Sequence, residues 1–370
     1  MGGTIVDYLE GQRASFADVS FGDVDSLVLA TVAYFRFENG ALGRTLAAEH
    51  VPLPVAVCGI SRSDLYGGIW LETMSGDEFL AALLSSPRFM ELEVAFYANE
   101  ISPHFEKQFA AITFFLPDGS AYIAYRGTDN TVAGWKEDFN LTFMEEVPSQ
   151  AMARSYLEDI AGACSGCLYV GGHSKGGNLA EYAALTCREQ TFSRLKRVYN
   201  HDGPGFAFPP NGRISSADYD AKLSKTIPKS SIFGMLMEDR DNYRIVDASG
   251  ILFVQHASTR WAIEDGEFVT VGSINREAAI IANTLNGWAH SYDPAEREQF
   301  IEAVFGILTA PDVVTWAEMS ADKSGSALAI ADATRRLPAN MRSTVLGMLR
   351  DIAPIMAAAA AETAKRVLPR

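Results

Sequence analysis

The stretch "CLYVGGHSKGGNLAEYAAL", residues 167–185, places one serine among four glycines, between an apolar run and an alanine-rich run. Ser174 forms a Gly-x-Ser-x-Gly pattern with Gly172 and Gly176. Glycine is used where a Cβ would clash or where φ must be unusual, so this cluster predicts a tight, strained turn. Between a strand and a helix, such a turn holds the serine hydroxyl over the helix N-terminus, where developing negative charge is favoured. We therefore predict that Ser174 is a nucleophile; the alternative is a structural glycine-rich turn.

A base must accept the serine proton, and a third group must orient that base, because a neutral serine is a poor nucleophile. The chain has six histidines: His50, His104, His173, His201, His256 and His290. After a strand–elbow–helix unit the acid and the histidine follow the serine along the chain, which excludes the first two. His173, beside the serine, is expected to point into the sheet region. His256, in "ILFVQHASTRW" just beyond the last strand-like run, is the predicted base, with His290 and His201 as alternatives.

The acid of the triad is expected at the C-terminal end of a strand, between the serine and the histidine. Asp202, in "VYNHDGPGF", ends the strand that follows the elbow helix, and the Gly-Pro-Gly turn after it can aim its carboxylate inward. Asp247, in "YRIVDASG", lies nearer to His256 along the chain and is the alternative acid. We predict a triad of Ser174, His256 and Asp202.

Two backbone N–H groups are needed to hold the oxyanion of an acyl-transfer intermediate. One is expected from Lys175, the residue after the nucleophile. The other is expected from Thr128 in "YIAYRGTDN", where Gly127 and Thr128 directly follow a predicted strand; the alternative is a simple turn. This chemistry needs neither a metal nor an organic cofactor. The "CSGC" at 164–167 has no second ligand pair and precedes a buried strand, so we predict no thiol function for it.

The elements that position these residues begin with a predicted β-hairpin over 108–128, two apolar runs around a Pro-Asp-Gly turn. A helix at 150–162, a strand at 167–171, a helix at 177–188 and a strand at 195–201 follow. Strand, helix and strand at this spacing form a βαβ unit, which builds a parallel sheet with a right-handed crossover.

The chain as a whole is predicted to form one α/β domain, residues 1–370, with a mostly parallel central sheet and helices on both faces. We expect the sheet core over about 108–272, an N-terminal helical region over 1–105 and a C-terminal helical region over 273–370. Further strands are predicted at 231–237 and 242–249, and further helices at 3–10, 22–37, 76–85, 86–100, 215–224, 274–286, 294–308, 311–320, 324–336 and 338–366. The segment 205–223 is rich in aromatic residues and proline, and we expect either a lid or a fixed surface excursion.

Composition limits the class of partner. The 370 residues carry a formal charge of −15, which argues against a nucleic-acid binder because such a protein needs a basic patch. No apolar stretch reaches the roughly 18 residues that span a bilayer, and the N-terminus has no secretory-signal pattern. The expected location is the cytoplasm, and the expected partner is a small-molecule acyl ester or lipid substrate. Nothing in the sequence fixes the oligomeric state.

Two segments together carry a family resemblance. "AYIAYRGTDNTVAGWKEDF", followed some way on by "VGGHSKGGNLAEYAA", resembles the class 3 lipases of the α/β-hydrolase superfamily. Those proteins show a strand, an Arg-Gly-Thr or Arg-Gly-Ser, a Trp-x-x-Asp and a Gly-His-Ser-x-Gly elbow; here the Trp-x-x-Asp is Trp135 to Asp138. The match is closer to a bacterial lipase-like family that shares "HSKGGNLA", "DGPGF" and a "QH…W" segment.

The resemblance implies an α/β-hydrolase fold and a serine hydrolase that acts on esters, with Ser174 as nucleophile and Thr128 in the oxyanion hole. One position departs from the pattern. Class 3 lipases place the acid in an Asp-x-Val-Pro type segment after the next strand, where this chain reads "TIPKSSIFG", with Ser231 near the expected position and no carboxylate. This departure favours Asp202 as the acid. It also motivates a second hypothesis, a non-catalytic α/β-hydrolase fold used as a binding or scaffold protein.

Overall fold

The computed structural model describes residues 2–40, 43, 49–67, 75–129, 131–250 and 253–308, together with scattered residues between 332 and 350. Its centre is an eight-stranded sheet whose strands lie in chain order. The strands are β1 (Val51–Pro52), β2 (Glu93–Ser102), β3 (Lys107–Phe115), β4 (Ala121–Tyr125), β5 (Leu168–His173), β6 (Leu195–His201), β7 (Leu223–Pro228) and β8 (Tyr243–Val246). A separate two-stranded ribbon joins β9 (Ile263–Glu264) and β10 (Glu267–Phe268).

Helices flank the sheet along most of the described chain. They are α1 (Ile5–Gly11), α2 (Asp23–Val32), α3 (Leu53–Val57), α4 (Arg62–Tyr66), α5 (Gly76–Ser85), α6 (Pro87–Met90), α7 (Val132–Asn140), α8 (Pro148–Ala163), α9 (Lys175–Thr186), α10 (Glu189–Arg194), α11 (Ala217–Lys222), α12 (Phe253–His256), α13 (Arg276–His290) and α14 (Pro294–Leu308). Among the residues described, none of these helices has the length and apolar character needed to cross a bilayer.

The type of strand pairing changes once across the sheet. The strands β1 to β4 pair antiparallel, and β4 to β8 pair parallel. The predicted hairpin is confirmed as β3 and β4, and the predicted βαβ unit is confirmed as β5, α9 and β6. The structure is therefore an α/β architecture with a mostly parallel central sheet, consistent with an α/β-hydrolase-like fold.

Both faces of the sheet are buried, as β4 shows residue by residue. Tyr122 and Ala124 belong to a core shared with α1, α2 and α5, whereas Ile123 and Tyr125 belong to a second core shared with α8 and α9. Successive side chains of a strand point to opposite faces, so one strand supplies both cores. A strand covered on both sides reads as an unbroken apolar run, and "AYIAY" is such a run.

Two of the predicted elements are wrong. The helix predicted over 86–100 ends at Met90, and β2 begins at Glu93, because this segment pairs along its length with β3. The sheet therefore starts upstream of residue 108, within the region predicted to be helical. The strand predicted over 231–237 is instead a loop with a 3-10 turn, Phe233–Met235, and β7 lies earlier, beginning within the helix predicted over 215–224.

Toward the C-terminus the helices predicted over 274–286 and 294–308 are confirmed as α13 and α14. The predicted helix 311–320 lies outside the described residues, as do most of the positions in 324–336 and 338–366.

Candidate active site

Ser174 stands between the end of β5 and the first residue of α9, with φ 59° and ψ −136°. A serine held at positive φ costs of order 1–3 kcal/mol and persists only where its surroundings enforce it. Its N–H donates to the carbonyl of His201 on the neighbouring strand (2.9 Å). A Cβ on Gly176 would lie 2.2 Å from the carbonyl oxygen of Tyr125, so glycine is required for the turn to pack on β4. The sequence-predicted strained elbow is present in the backbone.

Asp202 follows β6 at the same edge of the sheet, since His173 and His201 are register partners at the ends of β5 and β6. The residue is fully buried and has φ 58°. Its Oδ2 accepts a hydrogen bond from Ser231 Oγ (2.5 Å), and its Oδ1 accepts one from the N–H of Gly234 (3.0 Å). The loop predicted to be a strand is thus shaped to donate to this carboxylate.

His256 is the last residue of α12, and its Nδ1 lies 2.6 Å from Asp202 Oδ2. A carboxylate accepts, so Nδ1 carries a proton, and in the neutral imidazole Nε2 then has the lone pair. The imidazole contacts two rings, with its centroid 4.1 Å from that of Phe233 and 4.6 Å from that of His173. The structure therefore brings the predicted acid and the predicted base together.

The segment that carries His256 is fixed by its neighbour Gln255, a buried residue whose role the sequence did not indicate. Its Nε2 donates to the carbonyls of Ala248 (2.7 Å) and Gly250 (2.8 Å), and its Oε1 accepts from the N–H of Ser230 (2.8 Å). Trp261 Nε1 donates to the Gln255 carbonyl (3.0 Å). The sequence signal for this role was the "QH…W" segment. Its Gln255 and Trp261 fix the main chain on either side of His256.

His173, the residue before the nucleophile, is buried against α2 and the His256 segment. Tyr34 Oη lies 3.1 Å from its Nδ1, and the main-chain carbonyl of His256 lies 2.6 Å from its Nε2. Burial is the main cause that holds the pKa of His173 well below its usual range, and repulsion from the nearby His256 adds to it. The ring is therefore neutral. The ring lies inside the protein, as expected for the residue before the elbow serine.

The alternative residues lie in other environments. His201 is buried, its ring nitrogens are hydrogen-bonded to Thr226 Oγ1 and Ser26 Oγ (2.9 Å each), and burial lowers its pKa to about 3. His290 is exposed at the end of α13, where Nδ1 donates to the Asn286 carbonyl (2.7 Å). Asp247, the alternative acid, forms an ion pair with Lys229. His256 is hydrogen-bonded to Asp202 instead of Asp247.

The Gly127-Thr128 junction lies against the elbow. A Cβ built on Gly127 would be 3.0 Å from Ser174 Cβ and 2.6 Å from the His173 carbonyl oxygen. Thr128 Oγ1 donates to Asp138 Oδ2 (2.6 Å), the last residue of the Trp-x-x-Asp. The predicted oxyanion residue thus neighbours the predicted nucleophile, and its side chain is held by α7.

The side chain of Lys175 makes contacts that the sequence did not indicate. Its buried side chain donates from Nζ to Glu137 Oε2 (2.8 Å) and to the Gln108 carbonyl (3.1 Å), and Nζ lies 3.8 Å from Asp138 Oδ1. Burial raises the pKa of Asp138 to about 6, against the opposing effects of the Lys175 charge and the Thr128 hydrogen bond. The ion pair between Lys175 and Glu137 joins the start of α9 to α7.

The segment 205–223 is tied to the body of the protein. Arg213 Nη1 donates to the carbonyls of Ala184 (3.1 Å), Leu185 (2.9 Å) and Cys187 (3.0 Å) at the end of α9, and Asn211 Nδ2 donates to Leu185 (2.6 Å). These bonds favour the fixed excursion over the lid. A cleft of about 720 Å³ lies between this segment and residues 237–242, and neither Ser174 nor His256 lines it.

Comparison with known proteins gives one match. The model of the Mbeg1-like family matches residues 83–306, which is more than half of the chain and contains every predicted site residue. No significant match was found among curated proteins or among solved structures. The chain therefore belongs to the Mbeg1-like family, which is lipase-like.

Proposed function

We propose that this protein is a serine hydrolase with an α/β-hydrolase fold that cleaves a carboxylic ester. Ser174 is the nucleophile, His256 the base and Asp202 the acid. The observation that carries the proposal is the 2.6 Å bond between Asp202 and His256, at the sheet edge where the strained serine turn also stands. Membership in a lipase-like family supports the same class of reaction.

The reaction begins when His256 Nε2 accepts the proton of the Ser174 hydroxyl as its oxygen attacks the ester carbonyl. The carbonyl oxygen takes the negative charge, and the N–H groups of Thr128 and Lys175 hold it. As the carbon–oxygen ester bond breaks, the imidazolium gives its proton to the departing alcohol, and an acyl-serine remains. Water, deprotonated by His256, attacks this acyl group and releases the acid and free Ser174.

The surroundings of Asp202 favour this cycle. Donors from Ser231 and Gly234 fix the carboxylate, and the bond to His256 Nδ1 fixes the tautomer in which Nε2 can accept a proton. Each oxyanion donor contributes about 3 kcal/mol to the lowering of the barrier. The proposed substrate is a small-molecule acyl ester or a lipid, and no metal or organic cofactor takes part in the scheme.

Labelling with a fluorophosphonate probe tests the proposal. We expect wild-type protein to be labelled and Ser174→Ala to remain unlabelled, with Ser155→Ala, an exposed serine on α8, labelled like the wild type. Equal labelling of wild type and Ser174→Ala would contradict the assignment of Ser174 as the nucleophile. Folded wild-type protein that neither takes the label nor hydrolyses a panel of short- and long-chain acyl esters supports the non-catalytic alternative.

A further inference from the structure

The elbow histidine connects two parts of the chain that the catalytic scheme leaves unexplained. His173 lies between Tyr34, just after α2, and the main chain of His256, at the end of α12. The three residues are distant in sequence and meet in the buried space on one face of β5. Tyr34 and His173 are each about 1% exposed, so water contributes little to their arrangement.

The proton positions in this group follow from its partners. A main-chain carbonyl can only accept, so the 2.6 Å contact with the His256 carbonyl requires a proton on His173 Nε2. Because burial keeps the ring neutral, Nδ1 then carries a lone pair, and the Tyr34 hydroxyl at 3.1 Å donates to it. The His256 carbonyl thus sets the tautomer of His173, and a hydrogen bond from the Tyr34 hydroxyl to Nδ1 stabilises it.

We propose that Tyr34 and His173 are positioning residues for the base, an inference that rests on the proposed function. Asp202 holds the imidazole of His256 through Nδ1, and His173 holds the backbone of the same residue through its carbonyl. Two attachments, one from the end of β5 and one from the turn after β6, fix both the side chain and the main chain, and so fix where Nε2 points. Tyr34 acts one step further away, through the tautomer of His173.

The neutral state of His173 matters for the same reason. The rings of His173 and His256 are 4.6 Å apart, so a charged His173 would oppose the imidazolium that His256 must become. Neutral His173 can therefore hold His256 in position through a hydrogen bond without repelling its charged form. This explains why a histidine in a buried, tyrosine-fixed setting serves here better than a lysine or arginine donor.

Kinetics on an activated acyl ester test the positioning role. His173→Phe removes the donor, and we expect kcat/KM to fall on the order of 10- to 100-fold, the scale of a misplaced catalytic group. His173→Gln retains an N–H near the position of Nε2 and is expected to recover most of the loss. His290→Gln, an exposed histidine, is the matched control and is expected to be unchanged. Wild-type activity in folded His173→Phe overturns the proposal.

NMR in the Ser174→Ala background gives a readout that does not depend on hydrolysis. We expect ¹⁵N-detected spectra to show His173 protonated at Nε2, and a downfield Nδ1–H proton of His256 from its bond to Asp202. Tyr34→Phe is expected to mix the tautomers of His173 and to broaden the His256 proton, whereas Tyr182→Phe changes neither. A His173 protonated at Nδ1, or spectra of Tyr34→Phe identical to its parent, overturn the proposal. If the wild-type protein is inactive but the expected spectra are seen, the hydrolase proposal is contradicted. The hydrogen bond between His173 and the His256 carbonyl is then still supported.

Discussion

Asp202 Oδ2 lies 2.6 Å from His256 Nδ1, although 54 positions separate the two residues along the chain. The carboxylate belongs to the turn after β6, and the imidazole to the end of α12. Ser231 and Gly234 donate to the same carboxylate. Because three donors converge on one buried carboxylate, its orientation is fixed, and the carboxylate in turn holds the imidazole of His256.

Asp202→Asn is expected to lower kcat on the order of 10³- to 10⁴-fold, because an amide can donate to His256 and favour the wrong tautomer. Asp247→Asn, which removes the alternative acid, is expected to retain activity close to wild type. Steady-state kinetics on a soluble ester compare the two. A larger loss in Asp247→Asn than in Asp202→Asn would reverse the assignment of the acid.

Gly234→Ala is expected to disturb the same carboxylate by a steric route. A Cβ at this position would lie 2.6 Å from Asp202 Oδ1, so either the loop or the carboxylate must shift. We expect about 1–3 kcal/mol lower free energy of unfolding and reduced kcat. Gly212→Ala adds its Cβ in open space and is the matched control. Urea unfolding and kinetics of both variants check this; equal behaviour contradicts the described loop.

Lys175→Met is expected to cost about 3–5 kcal/mol of unfolding free energy, because it leaves Glu137 charged and buried without its cation. The double variant Lys175→Met with Glu137→Gln is expected to regain part of the loss. Lys196→Met changes an exposed lysine on β6 and serves as the control. Denaturant unfolding measures the stability of all three variants. If Lys175→Met is as stable as the control, the account of a buried ion pair between Lys175 and Glu137 is contradicted.

Asp138 gives a pH dependence of stability. Burial raises its pKa to about 6, so between about pH 4 and pH 6 the folded state binds more protons than the unfolded chain, whose carboxyl titrates near pH 4. Stability from this group is therefore present at low pH and is lost as pH rises through 6. Unfolding free energies of wild type and Asp138→Asn are expected to diverge by about 2–3 kcal/mol across this range, with the variant gaining relative to wild type. Parallel curves would contradict the raised pKa.

The sequence predicted the elements whose signals are local. Glycine on either side of Ser174 marks a tight turn, because a Cβ on Gly172 would lie 2.3 Å from the backbone of Gly176. The apolar runs of β3 and β4 around Pro-Asp-Gly form a hairpin from their own composition. The triad order along the chain restricted the histidine to those after the serine. For these features the physical cause lies within a few residues.

Other features depend on partners that are distant in sequence. β2 is a strand because β3 pairs with it, and the "SSIFGMLM" run is a loop because its Ser231 and Gly234 donate to Asp202. The apolar pattern of each segment fits either outcome. The side-chain roles of Lys175 and Gln255 were missed for the same reason, since each depends on contacts that only the folded chain creates.

Peptide mapping of a trapped acyl-enzyme tests the central claim most directly. Wild-type protein is mixed with an activated acyl ester, quenched in acid within the first turnovers, digested and analysed by mass spectrometry. We predict one acyl group on the peptide that contains Ser174, and none on that peptide in Ser174→Ala. Undiminished ester hydrolysis by Ser174→Ala, or an acyl group found on another residue in the wild type, would contradict the claim that Ser174 is the nucleophile.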